Sequence, residues 1–252
     1  MVSIPMVLGL FITRASSVAA WLIVPSAYLA FLAHYAVVPW AARAREGKAS
    51  PPGYATRRIV WGAIYLAGSV AAFAGSMLLA PADARLIVAP IAIVSGTLAA
   101  IYAAASIFGS GRSVMAEVLG MIGMALVAPM MAAVAGATAS GALLGPAALA
   151  LSYFLSSVAF VRSYDGVKHG DRRAIAGCVA AHALLLVAVV VVARSGWLPA
   201  YGWLAWLPIV TRTAWGIVKP PANLRALGVR EAWVAVAFTL LAGLGLLFDG
   251  SR

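Results

Sequence analysis

Ionisable side chains are scarce along most of this chain, and the few that interrupt apolar stretches are the ones whose presence needs a chemical reason. His34, Glu117, His182 and Arg212 all fall inside such stretches. A charge in a hydrocarbon environment is costly and is kept for pairing, proton transfer or ligand contact. Counted in helical rise from the nearest basic segment, each of the four lies one or two turns in from the same side. With Tyr35, Tyr102 and Asn223 at similar depth, they are placed to line one cavity. Arg212 either reaches out to lipid headgroups or pairs internally with Glu117. Glu117 in turn must find a cation, Arg112 or Arg212, or go uncharged. His34 and His182 serve either as neutral hydrogen-bonding groups between helices or as proton carriers.

A second concentration of chemistry is polar throughout. The twelve residues Arg162-Ser163-Tyr164-Asp165-Gly166-Val167-Lys168-His169-Gly170-Asp171-Arg172-Arg173 read as a loop with two carboxylates, one imidazole and four cations. Asp165 and Asp171 are suited to hold a Mg²⁺ ion, and Arg162, Lys168, Arg172 and Arg173, with His169, to contact the oxygens of a diphosphate that it bridges. The plain alternative is a solvated basic loop. No GxxxxGK[ST], HExxH, GxSxG or CxxC pattern occurs, and Gly109-Ser110-Gly111 is too short for a dinucleotide loop. Cys178, the single cysteine, excludes a disulfide within the chain and reads as a small packing residue.

The elements that must position these groups follow from composition. Of 252 residues, 64% are hydrophobic and 10% charged. The mean hydropathy is +1.00. A solvated globular surface cannot be built from this, and the net charge of +11 on such a chain is no nucleic-acid footprint. The expected fold is all-α: a polytopic transmembrane bundle of eight or nine helices, forming a single integral membrane domain over 1–252. Eight stretches are long enough to span about 30 Å of hydrocarbon. They are 17–41, 59–80, 86–107, 114–137, 142–161, 174–193, 198–218 and 232–248. The segment 4–13 is half that length. It lacks the basic start and small-residue cleavage site of a signal peptide, and reads either as a helical stub against the bundle or as the remainder of a truncated first helix.

Thirteen Lys and Arg fall in alternate loops, against Arg14, Arg85, Arg194 and Arg252 on the other side. The positive-inside rule makes the basic loops cytoplasmic, in a plasma (inner) membrane, and puts the C-terminus outside. Membrane lipids are the expected partners, including anionic headgroups at the basic loops. Pro25, Pro90, Pro129 and Pro208 should kink their spans. Gly141 and Gly145 form a GxxxG contact, and Gly166 with Gly170 reads as a turn.

The stretches Phe31-Leu32-Ala33-His34-Tyr35 with Val38-Pro39-Trp40, Glu117-Val118-Leu119-Gly120 running to Ala128-Pro129, Phe160-Val161-Arg162-Ser163 and Leu227-Gly228-Val229-Arg230-Glu231 resemble the YwiC-like family of bacterial membrane proteins. Members of that family begin with a His-Gly-Ala-Trp segment that this chain lacks, and the family implies no particular activity. A more distant similarity is to the UbiA-type prenyltransferase superfamily, with about nine helices and Asp-rich motifs in cytoplasmic loops after helices two and six. If the 4–13 segment counts as helix one, the two long basic loops fall at those positions, and Asp165 and Asp171 resemble a thinned second motif. The first motif is absent, with only Glu46 between His34 and Lys48. The resemblance implies a cytoplasm-facing cavity for a lipid or isoprenoid-like amphiphile and, were the chain an enzyme, Mg²⁺-dependent transfer. A proton-coupled transporter using Glu117, His34 or His182, and a non-catalytic membrane partner, are the alternatives.

Overall fold

A computed structural model describes residues 3–12, 17–109, 113–138, 140–198 and 202–249. All regular structure among them is helical. The helices are α1 (Ser3–Ile12), α2 (Val18–Arg45), α3 (Tyr54–Leu79), α4 (Ala82–Ile107), α5 (Val114–Ala125), α6 (Val127–Val134), α7 (Ser140–Lys168), α8 (Arg172–Arg194), α9 (Leu207–Val218) and α10 (Leu224–Asp249). A short 3-10 helix, Gly202–Trp206, precedes α9. Two compact units result, Ile4–Thr138 and Ala139–Arg252. Arg14, Arg112 and Arg252, used above to orient the chain, lie outside the described residues, as do Ser110 and Gly111.

Burial is inverted relative to a water-soluble protein. Leu86, Leu78 and Leu184 are 79%, 75% and 71% exposed, while Ser76, Ser156 and Ser157 are fully buried. Apolar surface on this scale is compatible with lipid contact and not with water. Seven helical stretches are long and apolar enough to cross a membrane, and the chain is a multi-pass membrane protein. The expected eighth span, 198–218, is not one helix. It holds the 3-10 turn and then α9, which has 12 residues and rises only about 18 Å. Pro208 sits at the start of α9, where its missing N–H costs nothing, and Pro220 and Pro221 stop the helix directly after Val218.

In the first unit, α2 and α3 form the most extensive packed pair. Gly62, Ser69 and Ser76 recur every seven residues on the buried face of α3, the repeat of a left-handed helix pair. The backbones approach closely because these residues are small: a Cβ on Gly62 would overlap the Val37 side chain. The two helices also exchange hydrogen bonds. Ser26 donates to the Ser69 carbonyl at 3.0 Å, Ser69 donates back to the Ser26 carbonyl at 2.8 Å, and Ser76 donates to Ala19 at 2.8 Å. Pro25 and Pro90 are carried within unbroken α2 and α4. Pro129, which cannot donate to the Ala125 carbonyl, coincides with the break at Leu126 between α5 and α6. The stub α1 buries Ile4, Met6 and Leu8 and brings Gly9 against Met131.

In the second unit, α7 and α8 form a hairpin. The twelve polar residues read as a loop are mostly helical: α7 runs on to Lys168, because nothing before Gly170 breaks it. Gly166 is therefore not a turn residue. It lies in α7, where its missing side chain admits Ala174 of α8. Gly170, at φ +72°, makes the turn, and Asp171 caps α8 by accepting from the Arg173 N–H at 2.8 Å. At the other end of the hairpin, Gly141 and Gly145 let α7 close on the Gly196–Trp197 backbone.

Thermal unfolding of the detergent-purified protein separates close packing from mere helicity. Gly62→Ala is expected to destabilise by about 1–3 kcal/mol through overlap with Val37, whereas Gly96→Ala, with open space around it, should be neutral or gain up to about 1 kcal/mol. Equal shifts would remove the assigned α2–α3 contact.

Candidate functional site

The second unit buries an ion pair. Arg212 lies in α9, six residues before its end at Val218, and Glu231 in α10, seven residues after its start at Leu224, each about 10 Å of helix from the α9–α10 turn. The Arg212 Nη1 donates to Glu231 Oε2 at 2.7 Å, and the two residues are 2% and 7% exposed. Ser157 of α7 donates to the same carboxylate oxygen at 2.7 Å, and the Tyr153 hydroxyl donates to the Glu231 backbone carbonyl at 3.2 Å. Arg212 Nη2 reaches the Ser156 carbonyl at 3.3 Å and His182 Nε2 of α8 at 2.8 Å. A guanidinium can only donate, so Nε2 accepts and Nδ1 carries the proton that meets the Cys178 carbonyl at 2.7 Å. Both imidazole nitrogens are thus engaged, with the ring in one neutral tautomer. The guanidinium also lies over the Phe160 ring, 4.7 Å from its centroid, a contact for which Gly216 makes room.

This resolves the Arg212 alternatives. The guanidinium neither reaches headgroups nor pairs with Glu117: its partner is Glu231, and Glu117 belongs to the first unit. Glu117 stands in the first turn of α5, behind the Ser113 cap, where the helix dipole favours a carboxylate. The other candidates divide in the same way. His34 stacks on Tyr102 at 5.3 Å and meets Tyr35 edge-on at 5.8 Å within the first unit, whereas His182 joins Arg212 in the second. Apolar content starts the last span at Ala232 and leaves Glu231 outside it, whereas α10 begins at Leu224. The signal was Asn223, whose side chain caps α10 by accepting from the Ala226 N–H at 2.9 Å, which places Glu231 two turns inside.

The α7–α8 turn holds the second set. Asp165 and His169 approach at 3.6 Å on an exposed surface, and His169 Nδ1 lies 2.8 Å from the Asp165 carbonyl. Asp171 is engaged as a helix cap. Among the described residues no three His, Cys, Asp or Glu side chains converge at one point. Arg162 lies within the helical part of this segment, in α7, while Arg172 and Arg173 open α8. Glu46, the only acid between His34 and Lys48, caps the end of α2 in the first unit; a hydrogen bond from Lys48 at 2.6 Å, and its charge, hold the carboxyl below its ordinary range.

Lys168 and Tyr164 tie the α7–α8 turn to the one between α9 and α10. Tyr164 donates to the Pro221 carbonyl at 2.8 Å and Lys168 to Ala222 at 3.1 Å. Beyond that turn, α9 and α10 line an open groove of about 940 Å³. Its walls include Leu207, Trp215, Trp233, Val234 and Leu241, and its mouth carries Asn223, Arg225 and Arg230. Arg230 donates to the Lys219 carbonyl at 3.2 Å, closing the end of α9.

A family model described as YwiC-like protein matches residues 1–132. The chain belongs to the YwiC-like protein family. The match covers α1 to α5 and most of α6 of this YwiC-like protein; the ion pair and groove lie beyond it. No curated protein and no solved structure matches the chain.

Replacing one partner of the ion pair, by Arg212→Ala or Glu231→Ala, is expected to cost about 3–5 kcal/mol by leaving a buried charge unmatched. Arg212 Nε and Glu231 Oε1 find no hydrogen-bond partner among the described residues, so the pair is incompletely satisfied. The double variant Arg212→Met/Glu231→Leu should therefore recover most of the loss. Additive losses in thermal unfolding would show that the two residues act independently.

Proposed function

We propose that this YwiC-like protein handles a membrane lipid or related amphiphile, with the apolar chain in the α9–α10 groove and an anionic headgroup at its basic mouth. The observation that carries this reading is the groove itself: apolar walls on α9 and α10, with Arg225 and Arg230 at its mouth. Such a site gives an acyl or isoprenoid chain van der Waals contact along its length and gives the head a charge of opposite sign. Trp215 and Trp233, 56% and 71% exposed, suit the boundary between chain and head. With the basic turns taken as cytoplasmic by the positive-inside rule, the ligand enters from the inner leaflet of the plasma membrane.

The ion pair behind the groove supports binding rather than proton transfer. His182 accepts from Arg212 and donates to Cys178, so adding a proton at Nε2 would set two cations face to face and break the contact. A relay needs a residue that can take and release a proton without dismantling its surroundings.

Native mass spectrometry of protein extracted from nanodiscs containing phosphatidylglycerol in phosphatidylcholine tests the reading. Arg225→Gln/Arg230→Gln is expected to weaken retention of the anionic lipid by about 2 kcal/mol, roughly 30-fold, while Arg194→Gln, at the far end of α8, leaves it unchanged. Equal retention by both variants would remove the groove mouth as the headgroup site.

A further inference from the structure

The turn that carries the mouth of the groove is held from outside α9 and α10. Lys168, the last residue of α7, places its ammonium 3.1 Å from the Ala222 carbonyl, and the next residue, Asn223, lines the mouth. One of its three N–H groups serves that carbonyl, and the side chain is otherwise exposed. Its ring contact with Tyr164, at 5.9 Å, and the hydrogen bond from buried Tyr164 to Pro221 at 2.8 Å hold the two turns together. Arg225 and Arg230 line the mouth itself, Lys168 stands one residue from it on the Ala222 carbonyl, and Lys219 is turned over the Trp215 ring at 5.7 Å. The nearby acids are otherwise engaged: Glu231 faces Arg212 in the interior, Asp171 caps α8, and Asp165 is turned to His169.

We infer that the groove selects an amphiphile with a dianionic phosphomonoester head over one with a monoanionic phosphodiester, and that Lys168 is the residue that makes this distinction. The inference rests on the lipid reading above and deepens it. A phosphomonoester carries a charge of about −1.5 to −2 at pH 7 and exposes three acceptor oxygens, whereas a phosphodiester carries one charge and has two free oxygens. Arg225 and Arg230 suffice for the single charge. The second charge gains from a further cation approaching from another side, and a compact ammonium on a flexible stem meets an oxygen without demanding planar geometry.

The test compares phosphatidic acid with phosphatidylglycerol, of identical acyl chains, in nanodiscs of phosphatidylcholine, for the parent protein and Lys168→Met. The parent is expected to prefer phosphatidic acid by about fivefold, and Lys168→Met to bring that ratio near one, with Arg194→Gln retaining the parent's ratio. Two results overturn the inference while leaving the lipid reading intact: equal binding of both lipids by the parent, or an unchanged ratio in Lys168→Met. Binding of neither lipid overturns both. Millimolar inorganic phosphate is the second arm. It should not displace the bound lipid, because it lacks the chain that fills the groove; displacement would assign the cations to a soluble anion and overturn the lipid as the source of the charge.

Discussion

One buried ion pair organises the second unit. Arg212 and Glu231 contribute one charge each from α9 and α10, and everything else within reach is arranged to make that tolerable: Ser157 and the Ser156 carbonyl from α7, His182 from α8, and the Phe160 ring beneath the guanidinium. Four helices are thereby joined at one point. The short helix α9 depends on it most, since 12 residues do not reach across hydrocarbon and cannot be held there by length. The chain from 197 to 222 nevertheless passes from one end of α7 to the other: Trp197 lies against Gly145 near its start, and Pro221 and Ala222 are bound by Tyr164 and Lys168 at its end. An interrupted helix is stable at such depth only where protein surrounds the irregular backbone. Trp206, buried and donating to Ser152 at 3.2 Å, closes that position.

In the first unit the buried α2–α3 contact meets the same constraint with hydroxyls in place of charges. Water exclusion drives no association between helices in lipid, so close backbone approach and short hydrogen bonds must do it. The α2–α3 pair supplies both through Gly62, Ser69 and Ser76. Each serine hydroxyl satisfies itself on a carbonyl of the other helix and leaves no charge to be neutralised. Distributed contacts of this kind fix two long helices together, but they do not define a point of polar chemistry. The ion pair does, which is why the groove beside it is the more informative feature.

Much of this was legible in the sequence, for reasons that differ between features. Long apolar runs identify spans because hydrocarbon thickness sets their length, and six of the eight expected spans coincide with single long helices. A seventh, 114–137, is broken at Leu126, as Pro129 foretold. The eighth failed because apolar content over 198–218 reports burial and not helix continuity. The polar segment 162–173 differs from a loop for the converse reason: charge marks emergence from the membrane, whereas a helix ends only where a residue such as Gly170 lets the chain turn. The importance of Arg212 was visible from its cost. Its partner was not, because the choice between Glu117 and Glu231 depends on which helices are neighbours, and nothing in the local pattern encodes that.

The family match and the chemistry occupy different parts of the chain. Residues 1–132 carry the YwiC-like assignment, while the ion pair, the groove and its basic mouth lie between Tyr153 and Leu241, so their function has to be argued from their own residues. The charges there are arranged in two layers. In the inner layer Arg212 and Glu231 cancel and His182 is neutral, so the groove wall presents almost no net field to a hydrocarbon chain. In the outer layer Arg225 and Arg230 line the mouth and Lys168 stands on the adjoining turn; among the described residues no ion pair joins any of the three to a carboxylate. The proposed amphiphile would be oriented by the contrast, its apolar part meeting a paired interior and its anionic part the cations at the mouth. Were Arg212 unpaired, its charge would pull an anion about 10 Å deeper along the helix, and the orientation would be lost. Neutralising the inner layer is thus what gives the outer layer its direction.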